Sequence, residues 1–139
     1  MSVLVEKRNT ATPLPVIWSR LIDVENRPSW TASMTRIERL GGGPLRVGST
    51  ARIHQPKGRP TIWEVIALVD GHEFTWQNRQ SGIITIGRHV LTATPPGTHV
   101  MVSLEHRGTL AWLARLVAHR WVAEYVRMEA DGLAGPVSD

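Results

Sequence analysis

From residue 34 to residue 107, apolar and polar residues alternate with a period of two, the mark of half-buried strands. Met34–Leu40, Thr50–Gln55, Ile62–Val69, Glu73–Arg79, Ile83–Ala93 and His99–Arg107 each read as a strand. They are separated by Gly41-Gly42-Gly43-Pro44, Pro56-Lys57-Gly58-Arg59-Pro60, Asp70-Gly71, Ser81-Gly82 and Pro95-Pro96-Gly97, and the last stops at Gly108. Such punctuation without intervening helical segments predicts an antiparallel meander. Residues 2–10 alternate around Val3 and Val5 and predict one more strand. After it, Pro13 and Pro15 suit a first helical turn, and Val16, Ile17, Trp18, Leu21 and Ile22 form the apolar set of a short helix. Ser29, before Trp30, is placed to cap a second short helical turn. Thr109–Leu133 changes character. Leu110, Leu113, Val117, Trp121, Tyr125 and Met128 recur at helical spacing, Thr109 is a candidate cap and Gly132 a candidate stop.

Composition narrows the functional classes. At 139 residues, 42% hydrophobic and 20% charged, the chain is expected to form one domain over 1–139, with residues 135–139 a frayed tail. There is no cysteine, which removes disulfides, thiolate metal sites and cysteine nucleophiles. No apolar run reaches membrane-span length, and the first ten residues lack a signal-peptide pattern, so the expected location is cytoplasmic. The pI near 10.6 raises nucleic-acid binding. However, the fourteen arginines and two lysines are scattered, with no block of like charge, and a clustered footprint is what such binding uses.

The order of strand, two short helices, meander and long terminal helix resembles the START-like, or SRPBCC, superfamily, and within it the polyketide cyclase/dehydrase-like branch. The residues carrying the resemblance run through nearly the whole chain. They are Val16-Ile17-Trp18, Leu21-Ile22-Asp23, Pro28-Ser29-Trp30, Gly48-Ser49, Gln55-Pro56, Trp63-Glu64-Val65, Phe74-Thr75-Trp76, His89, Gly97-Thr98-His99-Val100, Tyr125, Glu129 and Gly132-Leu133. The resemblance implies an α+β helix-grip fold: a curved antiparallel sheet of about seven strands around the C-terminal helix. It also implies a cavity between sheet and helix.

Strand parity then selects the side chains that enter this space. Phe74 and Trp76 oppose Glu73, Thr75 and Gln77; Trp63 and Val65 oppose Glu64; Val100, Val102 and Leu104 oppose His99, Ser103 and Glu105. Ala51, Ile53 and Gln55 share a face, and Leu91 brings His89 inward with it. The expected ligand-binding set is Trp30 near the mouth, Ile53, Gln55, Trp63, Trp76, His89, Leu104, Val117, Trp121 and Tyr125. Apolar walls with few polar groups define a small-molecule site, here for a lipid-, polyketide- or aromatic-type molecule held by a carrier or sensor.

The alternative is a cyclase or dehydratase with His89 as general acid/base, aided by Gln55, Tyr125 and Arg120 at a polarised oxygen. Equally open are tryptophans that only fill the core, and Gln55 and His89 satisfied by each other or by backbone. No metal or other cofactor is expected, since the six histidines lack ligand spacing and Gly41-Gly42-Gly43 lacks a phosphate-loop pattern. Glu124, Glu129 and Asp131, among Arg120 and Arg127, read as a solvated face of paired charges. The chain is expected as monomer or homodimer, the latter through outward residues such as Trp112.

Overall fold

The structure is a computed structural model that describes residues 2–136, excluding the side chains of Ser2 and of 113–119. The elements in chain order are β1 (Ser2–Thr10), α1 (Leu14–Ile22), a 3-10 segment (Val24–Ser29), β2 (Arg36–Leu40), β3 (Thr50–His54), β4 (Thr61–Val69), β5 (Glu73–Gln80), β6 (Ile83–Thr94), β7 (Gly97–Arg107) and α2 (Ala111–Leu133). The seven strands form one curved antiparallel sheet in the order β1-β7-β6-β5-β4-β3-β2. It is the expected meander, with β1 added beside the last strand. Residue by residue, Ser2 pairs with His106 and Thr10 with Thr98.

The parity reading holds along most strands, because one face of the sheet meets α2. Phe74, Val100, Val102, Leu91, Ile53 and Trp76 are buried. An extra residue in β4 shifts its register against β5 between Val65 and Ala67. Trp63, Val65 and then Leu68 consequently point to the core, although 65 and 68 are an odd number apart. This is what a bulge does to a period-two pattern.

Several local expectations are corrected. α2 begins at Ala111 after Leu110, with no side-chain cap, so Thr109 does not cap it. Ser29 ends the 3-10 segment instead of starting a helix, and its Oγ donates to the Asn26 carbonyl at 2.6 Å. Gly132 lies inside α2. It is small because a Cβ there would collide with the Trp30 carbonyl. The end of the chain is anchored as far as Pro136. Arg20 donates to the carbonyls of Leu133, Gly135 and Pro136 at 3.1, 2.8 and 2.6 Å, and Thr12 Oγ1 donates to Gly135. Gly135 and Pro136 are therefore held, and 137–139 lie outside the described residues.

The Gly132 contact makes a signed prediction. Helix propensity alone would make Gly132→Ala stabilising by up to about 1 kcal/mol. The collision with backbone should reverse that and lower stability by about 1–3 kcal/mol. Gly42→Ala, with no atom within 4 Å of its Cβ, should stay within about 0.5 kcal/mol of wild type. Urea unfolding of the two variants checks both.

Candidate functional site

Between the sheet and α2 lies a cavity of about 380 Å³. One wall is a single face of the helix: Trp121, Val122, Tyr125, Val126 and Glu129, spaced at 121, 125 and 129 by one turn each. β4 and β5 supply Thr61, Trp63, Trp76, Asn78 and Gln80; β6 and β7 supply Thr85, Gly87, His89, Val102, Leu104 and His106. Met34, Ile53 and Gln55 complete the wall, and Lys57, Gly58 and Arg59 of the exposed β3–β4 turn stand at the mouth.

Of the residues expected from sequence, the structure gathers Ile53, Gln55, Trp63, Trp76, His89, Leu104, Trp121 and Tyr125 around this space. Trp30 is not among the lining residues. Its carbonyl and ring pack against Gly132 of α2, which draws it behind the helix end and away from the mouth. The Val117 side chain lies outside the described residues. Arg120 is exposed and does not line the cavity. The indoles divide their roles: Trp63 and Trp76 face each other with ring centroids 5.8 Å apart, and the Trp63 Nε1–H donates to Thr61 Oγ1 at 2.9 Å. Tyr125 accepts at Oη from the Lys57 backbone N–H at 3.0 Å, and the Lys57 ammonium sits 5.4 Å from the centre of the Trp121 ring. The β3–β4 turn is thus fastened to the helix at the mouth.

The polar chemistry gathers at the other end, and most of it was missed in the sequence. Arg27, in the 3-10 segment, is fully buried. Its Nε and Nη2 donate to the Leu21 carbonyl at 3.2 and 2.8 Å. Its guanidinium carbon lies 4.5 Å from the ring centres of both Phe74 and Trp76, within cation–π range. Its Nη1 makes no hydrogen bond and stands 3.6 Å from Glu129 Oε1. The same Oε1 is in close hydrogen-bond contact with His89 Nε2, and the His89 Nδ1–H donates to the Phe74 carbonyl at 2.9 Å.

Glu129 is therefore not part of a solvated face. Its side chain is 13% exposed, and its neighbours come from across the core, not from its own helix. Asp131, by contrast, is exposed as expected, and pairs with Arg8 of β1 at 2.7 Å. The missed signal for Glu129 was its spacing, four residues beyond Tyr125 on the inward stripe. For Asn78 and His106 it was parity carried further along β5 and β7. Nothing in the sequence pattern marked Arg27.

Electrostatics bind this cluster together. Burial pushes Arg27 down to about 10, with Glu129 opposing the shift, so it is cationic at neutral pH. Burial by itself would raise the Glu129 carboxyl, but His89 and then Arg27 more than offset it and hold it below the ordinary range. With Nδ1 of His89 given to a carbonyl and Nε2 facing a carboxylate, neither ring nitrogen is left over. Glu129 Oε2 takes no hydrogen-bond partner among the described residues, and Glu129 lines the cavity. At the far end of β7, burial lowers the His106 pKa, and its Nδ1 lies 3.2 Å from Thr85 Oγ1. Among the described residues no group of His, Asp or Glu is arranged to hold a metal ion.

A curved antiparallel sheet closed by a C-terminal helix over an internal cavity defines a START-like, helix-grip protein. The comparisons agree. The family described as polyketide cyclase / dehydrase and lipid transport matches residues 3–136, and the chain belongs to it. No curated protein matches. Solved structures share the fold at low identity. A hypothetical protein of Helicobacter pylori superposes with a TM-score of 0.79 at 11% identity, over 96% of this chain and 86% of that one. A protein of Thermus thermophilus gives 0.77 at 16% identity, over 96% and 94%. A norcoclaurine synthase point mutant from Thalictrum, in complex with a transition state analogue, gives 0.73 at 14% identity, over 96% and 91%. No described helix is long and apolar enough to cross a membrane.

The Glu129 shift carries a pH prediction. A carboxyl whose pKa is depressed on folding adds stability above its unfolded value of 4.5 and loses it as pH falls through the lower folded value. The stability advantage of wild type over Glu129→Gln should be full at pH 7 and shrink progressively once pH drops below 4.5. Urea unfolding of the pair across pH 3–7 reads this directly; an advantage that does not change with pH would refute it.

Proposed function

We propose that this protein binds a small, largely hydrophobic molecule in the cavity between sheet and α2, as a carrier or sensor. The observation that carries the reading is the 380 Å³ hollow walled by Trp63, Trp76 and Trp121, in a fold whose interior would otherwise close-pack. A hollow of that kind in a site with placed polar groups is the usual form of a ligand pocket. Burial of ligand surface at roughly 25 cal/mol per Å² would supply the affinity. The family description, which joins polyketide chemistry with lipid transport, supports the same class of ligand. A cyclase or dehydratase role would have to pass its proton through Glu129, since both nitrogens of His89 are taken.

Filling the hollow tests the reading. The wild-type protein should enhance the fluorescence of 8-anilinonaphthalene-1-sulfonate with saturable, one-site behaviour. Leu104→Trp, which places an indole into the cavity, should weaken that binding about tenfold or more while shifting stability by less than about 1.5 kcal/mol. Native mass spectrometry of freshly purified protein should show a co-purifying small molecule in wild type and less of it in Leu104→Trp. Dye binding that is the same in the two proteins would place the probe elsewhere and count against the cavity.

A further inference from the structure

A purely apolar ligand would not explain the buried polar cluster at the inner end of the cavity. Glu129 Oε1 is taken up by His89 and lies against Arg27. Glu129 lines the cavity, and its Oε2 has no hydrogen-bond partner among the described residues. Apolar residues line the cavity beside it: Val126, one turn away on α2, and Val102, opposite His89 in the β6–β7 register. We infer that Glu129 Oε2 is the acceptor for a hydroxyl of the ligand, so that the bound molecule is a hydrophobic alcohol, phenol or enol and not a plain hydrocarbon. The inference rests on reading the cavity as a ligand site and names the chemistry of what occupies it.

The charges around Glu129 decide between a neutral donor and a cation. From the 3-10 segment comes the Arg27 guanidinium, 3.6 Å from the carboxylate, and from β6 comes the His89 imidazole. Arg27 already neutralises the carboxylate, and a second positive group would be repelled across the same short gap. An O–H brings no net charge and still gains a charge-assisted hydrogen bond, the stronger kind. His89 and Arg27 are then positioning residues: held by the Phe74 and Leu21 carbonyls, they fix the carboxylate with one oxygen turned to the ligand. Discrimination follows because a hydrocarbon would exclude water from Oε2 without replacing its hydrogen bond.

The length of the site can be read from α2. Glu129 and Trp121, where Lys57 closes the mouth, are two helical turns apart, which is about 12 Å along the axis. A two-ring compound with a short hydroxylated arm is of that scale.

Calorimetric titration of the full chain with three matched probes tests the inference: 2-naphthalenemethanol, 2-ethylnaphthalene and 2-naphthylmethylammonium. The alcohol should bind about tenfold or more tighter than the hydrocarbon, and the ammonium should be the weakest. In Glu129→Gln, the preference for the alcohol over the hydrocarbon should fall at least severalfold, while the affinity for the hydrocarbon is kept. Equal affinity of the alcohol and the hydrocarbon for wild type would overturn the hydroxyl assignment and leave the cavity reading standing. An ammonium that binds tightest would replace the hydroxyl with a cation and overturn it also. If none of the three binds, the cavity reading itself falls, and this inference with it. The wild-type comparison decides these outcomes even if Glu129→Gln fails to fold.

Discussion

A guanidinium sealed from water sits where the 3-10 segment, β5, β6 and α2 converge, and the inner end of the cavity is organised by how its charge is met. Arg27 is fully buried, and an unpaired cation there would cost far more than the fold could supply. Two aromatic faces, one backbone carbonyl and one carboxylate share the task. That requirement fixes where Glu129 must be, which in turn fixes the rotation of α2 about its axis. Trp121 and Tyr125, on the same face of the helix, are turned into the cavity by the same constraint. The packing of α2 and the shape of the hollow are thus two results of one buried ion pair.

Much of this architecture could be read from alternation. Period-two patterning located every strand, and it placed Trp63, Trp76, Ile53, Leu104 and His89 on the inner face, because one side of each strand meets the helix and the other meets water. The bulge in β4 was not readable, since the residues after it lose phase without any change in composition. Asn78 and His106 were within reach of the same reasoning and needed only that parity be followed to the strand ends. Glu129 was misjudged by weighing charge against neighbours on its own helix. The residues that decide its environment are about 100 and 40 positions away. Arg27 lies outside any periodic pattern, in a short 3-10 segment, and its burial is a property of the assembled core alone. Pattern arguments find faces; they do not find ion pairs that join distant segments.

The structural relatives share the frame at identities of 11 to 16%, so the frame is compatible with very different interiors. In this chain the interior is specified by tryptophan on the sheet side and by a polar end built from a carboxylate, an imidazole and a guanidinium. The strand order and the terminal helix set where these inward positions stand.

One of them is a residue with no side chain. Gly87, in the middle of β6, faces the cavity, and a Cβ there would stand 3.3 Å from the Trp76 indole and 3.6 Å from Trp63. A methyl would press on the Trp76 indole and touch Trp63, and a branched side chain would take up the room they enclose. The hollow is in this sense an omission on one strand, not a gap left by poor packing. A side chain here would alter the capacity of the hollow without touching the backbone hydrogen bonds of β6, and through Trp76 it would also reach the ring on which Arg27 rests.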